Sequence, residues 1–224
     1  MEPEPLQRLL PGGLELETWE GRAWLGMVCF GIRGLRPWWF PPLPGVSAFL
    51  ETNLRTYVTH PQYGPGVWFY SLDATCWPAV QVARRRWHLP YFHAQLSLCW
   101  QGNEVHYRGW RRQPAAQYQL AARLLEPEQV APGRVTEPGT LDHFLIERYL
   151  LYAADGRGRL WSGCVAHAPY RLFDVELLHC RTTLPESLGL TPVEGEPQHV
   201  VFSPGVRTRV GALLRVENPA GKRP

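Results

Sequence analysis

The sequence predicts an α+β protein that is mainly β, a β-barrel or strongly curved sheet carrying a few short helices. Three observations lead there. Gly and Pro, 21 and 22 of 224 residues, cut the chain into short segments while hydrophobic residues stay at 45%, too apolar for disorder and too punctuated for a helical bundle, coiled coil or solenoid. Several segments alternate polar and apolar side chains with the period of two that a half-buried strand requires. Helix signals are few and short, against about ten strand-like segments.

Taken in order, residues 6–10 read as the end of a short helix stopped by Pro11-Gly12-Gly13. Residues 14–17 and 22–33 read as strands joined at Glu20-Gly21. Residues 35–45 hold too many prolines for a ladder, and Trp38, Trp39 and Phe40 form either a lid or packing on the body. Residues 50–59 and 66–73 are strands around a turn at 62–65. Asp73-Ala-Thr75 caps a helix with Pro78 in its first turn, running to Trp87. Pro90 starts a strand over 91–100, folded by Gly102-Asn103 into a hairpin with 104–111. Residues 129–139 are loop, and Thr140 caps a short helix with Asp142 in its first turn. Strands follow at 147–153 and 160–167, joined at Asp155-Gly156 and Gly158; 172–184 is open between helix and strand. Residues 185–197 are loop, and 199–202 and 207–216 close the fold. Residues 1–217 read as a single domain, with 218–224 as a disordered tail.

Charge and composition exclude several functions. A net charge of +3 does not call for a nucleic acid or membrane partner, and Arg84-Arg85-Arg86 suits the negative end of a helix dipole. No apolar stretch approaches the about 20 residues of a membrane span. The start has no basic or apolar leader, and five scattered cysteines suggest buried thiols, so a cytoplasmic protein is expected. No metal-ligand spacing, phosphate loop or dinucleotide fingerprint occurs, so no metal and no cofactor is expected. Homo-oligomerisation stays compatible with the chain. Of 23 basic residues only Lys222 is a lysine. Imine chemistry needs a desolvated amine, and the body of the chain has none.

The candidate site starts from the strand at 50–59. Leu50, Thr52, Leu54, Thr56 and Val58 share one face; Glu51, Asn53, Arg55 and Tyr57 share the other. The polar face either meets solvent or lines an interior. Turned inward, it brings a carboxylate, an amide, a guanidinium and a phenol together, and an Arg there anchors a carboxylate ligand. The next strand offers Ser71 and Asp73. The strand at 91–100 places Tyr91, His93, Gln95, Ser97 and Cys99 on a second polar face.

Seven segments carry a resemblance: Leu35-Arg-Pro37, Pro41-Pro-Leu-Pro-Gly45, Phe49-Leu-Glu-Thr-Asn-Leu-Arg-Thr-Tyr-Val58, Gly66-Val-Trp-Phe-Tyr-Ser-Leu-Asp-Ala74, Leu89-Pro-Tyr91, Phe144-Leu-Ile-Glu-Arg-Tyr149 and His167-Ala-Pro-Tyr170. Over residues 9–210 the chain resembles the uncharacterised YqjF-like family, whose usual N-terminal segment is longer. That family is similar to acetoacetate decarboxylases, which implies a β-barrel around a small cavity for an acidic ligand. In those enzymes a glycine, an aromatic residue and a proline precede the imine-forming lysine. The matching stretch here runs from Ala83 to Tyr91, and Tyr91 stands where the lysine would. Glu51 resembles a cavity carboxylate of those enzymes. The resemblance therefore carries the cavity across and leaves the amine behind.

Two functions follow as expectations. In the first, a barrel-enclosed site takes a small organic acid or carbonyl compound: Glu51 and Tyr91 are catalytic, and Asn53, Arg55, Tyr57, Ser71 and His93 bind the ligand. Any reaction is of lyase or hydrolase type without an imine. In the second, the chain is a non-catalytic binding or interaction module using residues 37–45.

Overall fold

Residues that alternate in character pair into two stacked sheets, and the point where the chain passes from one to the other decides where each polar face ends up. The computed structural model describes residues 1–36, 39, 41–126, 132–193 and 195–217. Within them the elements are α1 (Pro3–Gln7), β1 (Glu15–Leu16), β2 (Thr18–Trp19), β3 (Arg22–Ala23), β4 (Leu25–Arg33), β5 (Ala48–His60), β6 (Gly64–Ala74), α2 (Trp77–Trp87), β7 (Tyr91–His93), β8 (Gln95–Gln101), β9 (Glu104–Arg111), β10 (Ala116–Leu124), α3 (Leu141–Ile146), β11 (Leu150–Ala154), β12 (Leu160–His167), β13 (Phe173–Thr182), β14 (Val201–Phe202) and β15 (Thr208–Arg215), with a 3-10 turn at Glu186–Leu188.

The larger sheet has the order β1-β5-β6-β11-β12-β15, with β4 also on β5 and β7 also on β6. One apolar cluster joins Tyr57 of β5, Val67 and Leu72 of β6, and Leu151 and Ala153 of β11, with Val165 of β12 and Leu213 of β15 packed against it. Side chains from these five neighbouring strands reach a common core only if the sheet curls around it. Leu145 of α3 fills the hollow. The smaller sheet, β14-β13-β10-β9-β8, lies against the opposite face of β5, where Leu54 packs on Tyr107, Ala116, Tyr118 and Leu184. Among the described residues no pairing closes either sheet into a barrel.

Several expectations are corrected here. The strand at 91–100 is two strands: at Ala94, whose N–H bonds Ala74, the chain leaves β7 of the larger sheet and becomes β8 of the smaller. Asp73 caps nothing. The N-cap of α2 is Cys76, without a side-chain bond, because Asp73 is still a buried residue of β6. Residues 172–184, open in the sequence, contain β13, and β10 was not anticipated at all. Thr140 does cap α3, its hydroxyl accepting from the His143 N–H at 3.3 Å. Trp38, Phe40 and the tail at 218–224 lie outside the described residues; Trp39 is 67% exposed.

Candidate functional site

Antiparallel neighbours share a face, so the strand register assigns every candidate. Asn53 pairs with Leu72, Arg55 with Phe69 and Tyr57 with Val67; Leu72 also pairs with Tyr91 of β7. Tyr57, Val67 and Leu72 are core residues of the hollow, with Phe69 and Tyr91 packed on them. Glu51, Asn53, Arg55, Tyr57 and Tyr91 thus look into the concave side of the larger sheet. Glu51 and Asn53 are buried, Arg55 half-buried.

At one end of this row the Tyr91 hydroxyl donates to Glu51 Oε2 at 3.0 Å. Loss of water pushes the Glu51 carboxyl up to about 8, with the Asp73 charge adding and the Tyr91 bond opposing. Glu51 therefore holds its proton at neutral pH, the state required of an acid that must donate. Burial, together with Glu51, drives the Tyr91 phenol well above its ordinary value.

At the other end Arg55 donates from Nη2 to the Leu145 carbonyl at 2.8 Å and lies 5.6 Å from the Tyr57 ring. It pairs with no carboxylate among the described residues, and its Nε has no partner. Asn53 Oδ1 and Trp24 Nε1 are also buried without partners. Trp24 precedes β4 and packs into the same hollow. Opposite Arg55 in β4 stands Gly26, where a Cβ would meet Tyr57 Oη at 3.2 Å and Arg55 Cγ at 3.6 Å. Glycine in a strand interior marks such a close approach. Unpaired buried polar groups each cost free energy, and here two donors, Arg55 Nε and Trp24 Nε1, and one acceptor, Asn53 Oδ1, are gathered in the same hollow.

Ser71 and His93 do not join this row. Ser71 pairs with Leu54, on the side facing the smaller sheet, and its Oγ is buried without a partner. His93 is exposed, as are Gln95, Ser97 and Cys99, because the crossing at Ala94 turns that polar face outward. The second polar wall expected from the sequence is the outer surface of β8.

Between the sheets lies a polar network that sequence reasoning missed. Asp73 Oδ1 accepts from Arg111 Nη1 at 2.6 Å and Oδ2 from the Tyr118 hydroxyl at 3.0 Å. Arg111 also donates to the Pro114 carbonyl and Ser187 Oγ, and stacks 4.4 Å from the Phe92 ring. Tyr107 donates to the Glu51 carbonyl and accepts from Thr52. Burial raises the Asp73 carboxyl above its ordinary value against the pull of Arg111 and Tyr118. Every donor is satisfied, so the network reads as architecture. Its only signal in the sequence was the buried-strand position of Asp73.

Two clefts of about 280 Å³ and 340 Å³ open near His88 and Pro90, the first touching Arg84, Tyr91 and Asp155, the second Trp68, Tyr70 and Leu188. Neither is lined by Glu51 or Arg55. Among the described residues no three His, Cys, Asp or Glu side chains converge to hold a metal, and no helix is long and apolar enough to cross a membrane.

The DUF2071 family model, described as an uncharacterized conserved protein, matches residues 1–207. The chain is 36% identical over 207 residues to the uncharacterized protein YqjF of Bacillus subtilis (strain 168), covering 89% of this chain and 83% of that protein. Its fold is similar to an acetoacetate decarboxylase-like enzyme from Sphingomonas wittichii RW1, with a TM-score of 0.57, 16% identity and coverage of 97% and 87%. It is also similar to acetoacetate decarboxylase from Legionella pneumophila, with a TM-score of 0.52, 13% identity and coverage of 96% and 80%. The enduracididine biosynthesis enzyme MppR, solved with pyruvate, gives a TM-score of 0.56, 13% identity and coverage of 94% and 80%.

Proposed function

The chain belongs to the DUF2071 family of uncharacterized conserved proteins, and from that premise we propose that it binds a small organic acid or carbonyl compound on the concave face of its larger sheet, without imine chemistry. The observation that carries the reading is Arg55: a half-buried guanidinium with no carboxylate partner among the described residues and an unbonded Nε, on the same wall as neutral Glu51. A ligand carboxylate supplies the missing acceptor for Arg55 Nε and for Trp24 Nε1. Glu51, aligned by Tyr91, then stands on the same wall to give or take a proton, and Asn53 orients a carbonyl or hydroxyl between them. The fold neighbour solved with pyruvate makes 2-oxo acids the first probes.

Thermal melts with pyruvate, acetoacetate and benzoate test the reading. At about ten times Kd, a bound acid raises Tm by about 3–5 °C. The parent shows the shift and Arg55→Ala loses it; an unshifted parent across the whole acid panel rejects the proposal. Reduction with borohydride in the presence of a 2-oxo acid leaves residues 2–217 unmodified in the mass spectrum, since the amines of this sequence are Lys222 and the α-amine of Met1; a reduced adduct on an internal side chain contradicts this chemistry.

A second reading has the exposed Trp39, with Leu35 and Leu43 at 48% and 47% exposure, in its favour. If residues 37–45 mediate self-association, light scattering gives a lower mass for Trp39→Ser than for the parent at the same concentration; equal masses remove this reading.

A further inference from the structure

We infer that Tyr170 and His167, held in place by Glu147, form an aromatic subsite beside Arg55 that selects aryl carboxylic acids over saturated ones. The inference rests on the organic-acid reading above and specifies what lies beyond the carboxylate.

The residues come from two loops and from His167 at the end of β12. Residues 147–149 join α3 to β11, and residues 168–172 join β12 to β13. Loops on a rigid scaffold are where recognition residues gather. Glu147, 8% exposed, ties the two together: Oε2 accepts from the Tyr149 hydroxyl at 2.5 Å and Oε1 from the Tyr170 N–H at 3.1 Å. It forms no ion pair among the described residues. A carboxylate buried only to pack rings together would cost more than it returned. Its evident effect is to fix where Tyr170 stands.

The rings form a continuous wall. His167 stacks on Tyr149 with centroids 4.6 Å apart and planes 21° apart, and meets Tyr170 at 4.8 Å. Tyr149 is 41% exposed while His167 and Tyr170 are half-buried, so the wall runs from the surface inward. It reaches the Arg55 end of the row through α3: Arg55 Nη2 donates to the Leu145 carbonyl, two residues before Glu147, which holds the Tyr170 N–H, and the Arg55 charge opposes the rise that burial gives the Tyr170 phenol. Arg55 itself lies over the Tyr57 ring, which packs on Phe144 at 5.1 Å. The guanidinium therefore has the Tyr57 ring against it and the wall anchored by Glu147 next along the chain from its Leu145 contact. A carboxylate captured there leads its own substituent onto aromatic surface, where a planar ring gains offset or edge contacts that a puckered saturated ring does not.

The test compares benzoate with cyclohexanecarboxylate, acids of equal charge and similar size, by calorimetry on the full chain. The parent binds benzoate about three- to tenfold more tightly. Tyr170→Leu and His167→Leu bring the ratio near one, whereas Tyr170→Phe keeps it. Arg55→Gln weakens both acids alike. If Tyr170→Leu unfolds, His167→Leu carries the comparison. A parent with no preference, or leucine variants that leave the ratio unchanged, overturns the subsite while Arg55 recognition stands. A parent that binds neither acid overturns the acid reading itself, and the subsite with it.

Discussion

A carboxyl group taken out of water keeps its proton, and Glu51 translates that into a pH dependence. Its value in the fold, about 8, lies above the ordinary 4.5. Between those pH values the folded chain binds a proton that the unfolded chain has released, so stability falls as pH rises through the window. The contribution is complete below pH 4.5 and lost above about 8, on the order of 5 kcal/mol in all. Glu51→Gln removes the slope: urea midpoints of the variant change less between pH 5 and 9 than those of the parent, and a slope equal to the parent's contradicts Glu51 burial as its source. That Glu51, Asn53, Arg55 and Tyr57 share one face was legible from alternation alone. The fate of Asp73 was not, because an Asp ahead of a helical segment signals a cap and a buried ion pair with the same letter.

Elements succeed or fail by what they bring against a neighbour. β5 is the longest strand because its alternation never breaks, and β6 keeps in register with it by bulging at Tyr70. A bulge of that kind leaves no mark in the pattern of either strand. Gly109 of β9 shows the closeness of the smaller sheet: a Cβ there would come within 2.1 Å of the Tyr118 ring. Gly109→Ala displaces Tyr118, takes its hydroxyl from Asp73 and costs about 3 kcal/mol or more in urea unfolding. A cost below 1 kcal/mol contradicts that contact. Thr140→Ala removes the cap of α3 and costs about 1 kcal/mol; because α3 supplies the Leu145 carbonyl to Arg55, the same variant weakens acid binding beyond its effect on Tm. The cap was readable from Thr140 and the acidic first turn. The split of residues 91–100 at Ala94 was not, since one continuous alternation can serve two sheets.

At the scale of the whole molecule, the two large sheets are joined through a buried ion pair. Arg111 and Asp73 side chains are 0% and 1% exposed, and removal of one partner leaves the other charged and dry. Asp73→Ala therefore costs about 3–5 kcal/mol, while Asp73→Leu with Arg111→Met recovers most of it. A double variant as unstable as the single one shows that the charge itself, and not its pairing, matters. The sequence alone determined the mainly β class, the division of the longest strand into a polar and an apolar face, the cap of α3 and the lack of a lysine amine in the body of the chain, because each depends on local periodicity or on composition. Tertiary structure alone decided that the polar face of β5 turns inward, that the sheets stay open among the described residues, that Ser71 and His93 leave the site, and that Arg55 meets the Leu145 carbonyl while Glu147 meets Tyr170. Those outcomes depend on which strands pair and where the chain changes sheets, and pairing partners as far apart as Val67 and Leu151 are chosen by packing that no local pattern encodes.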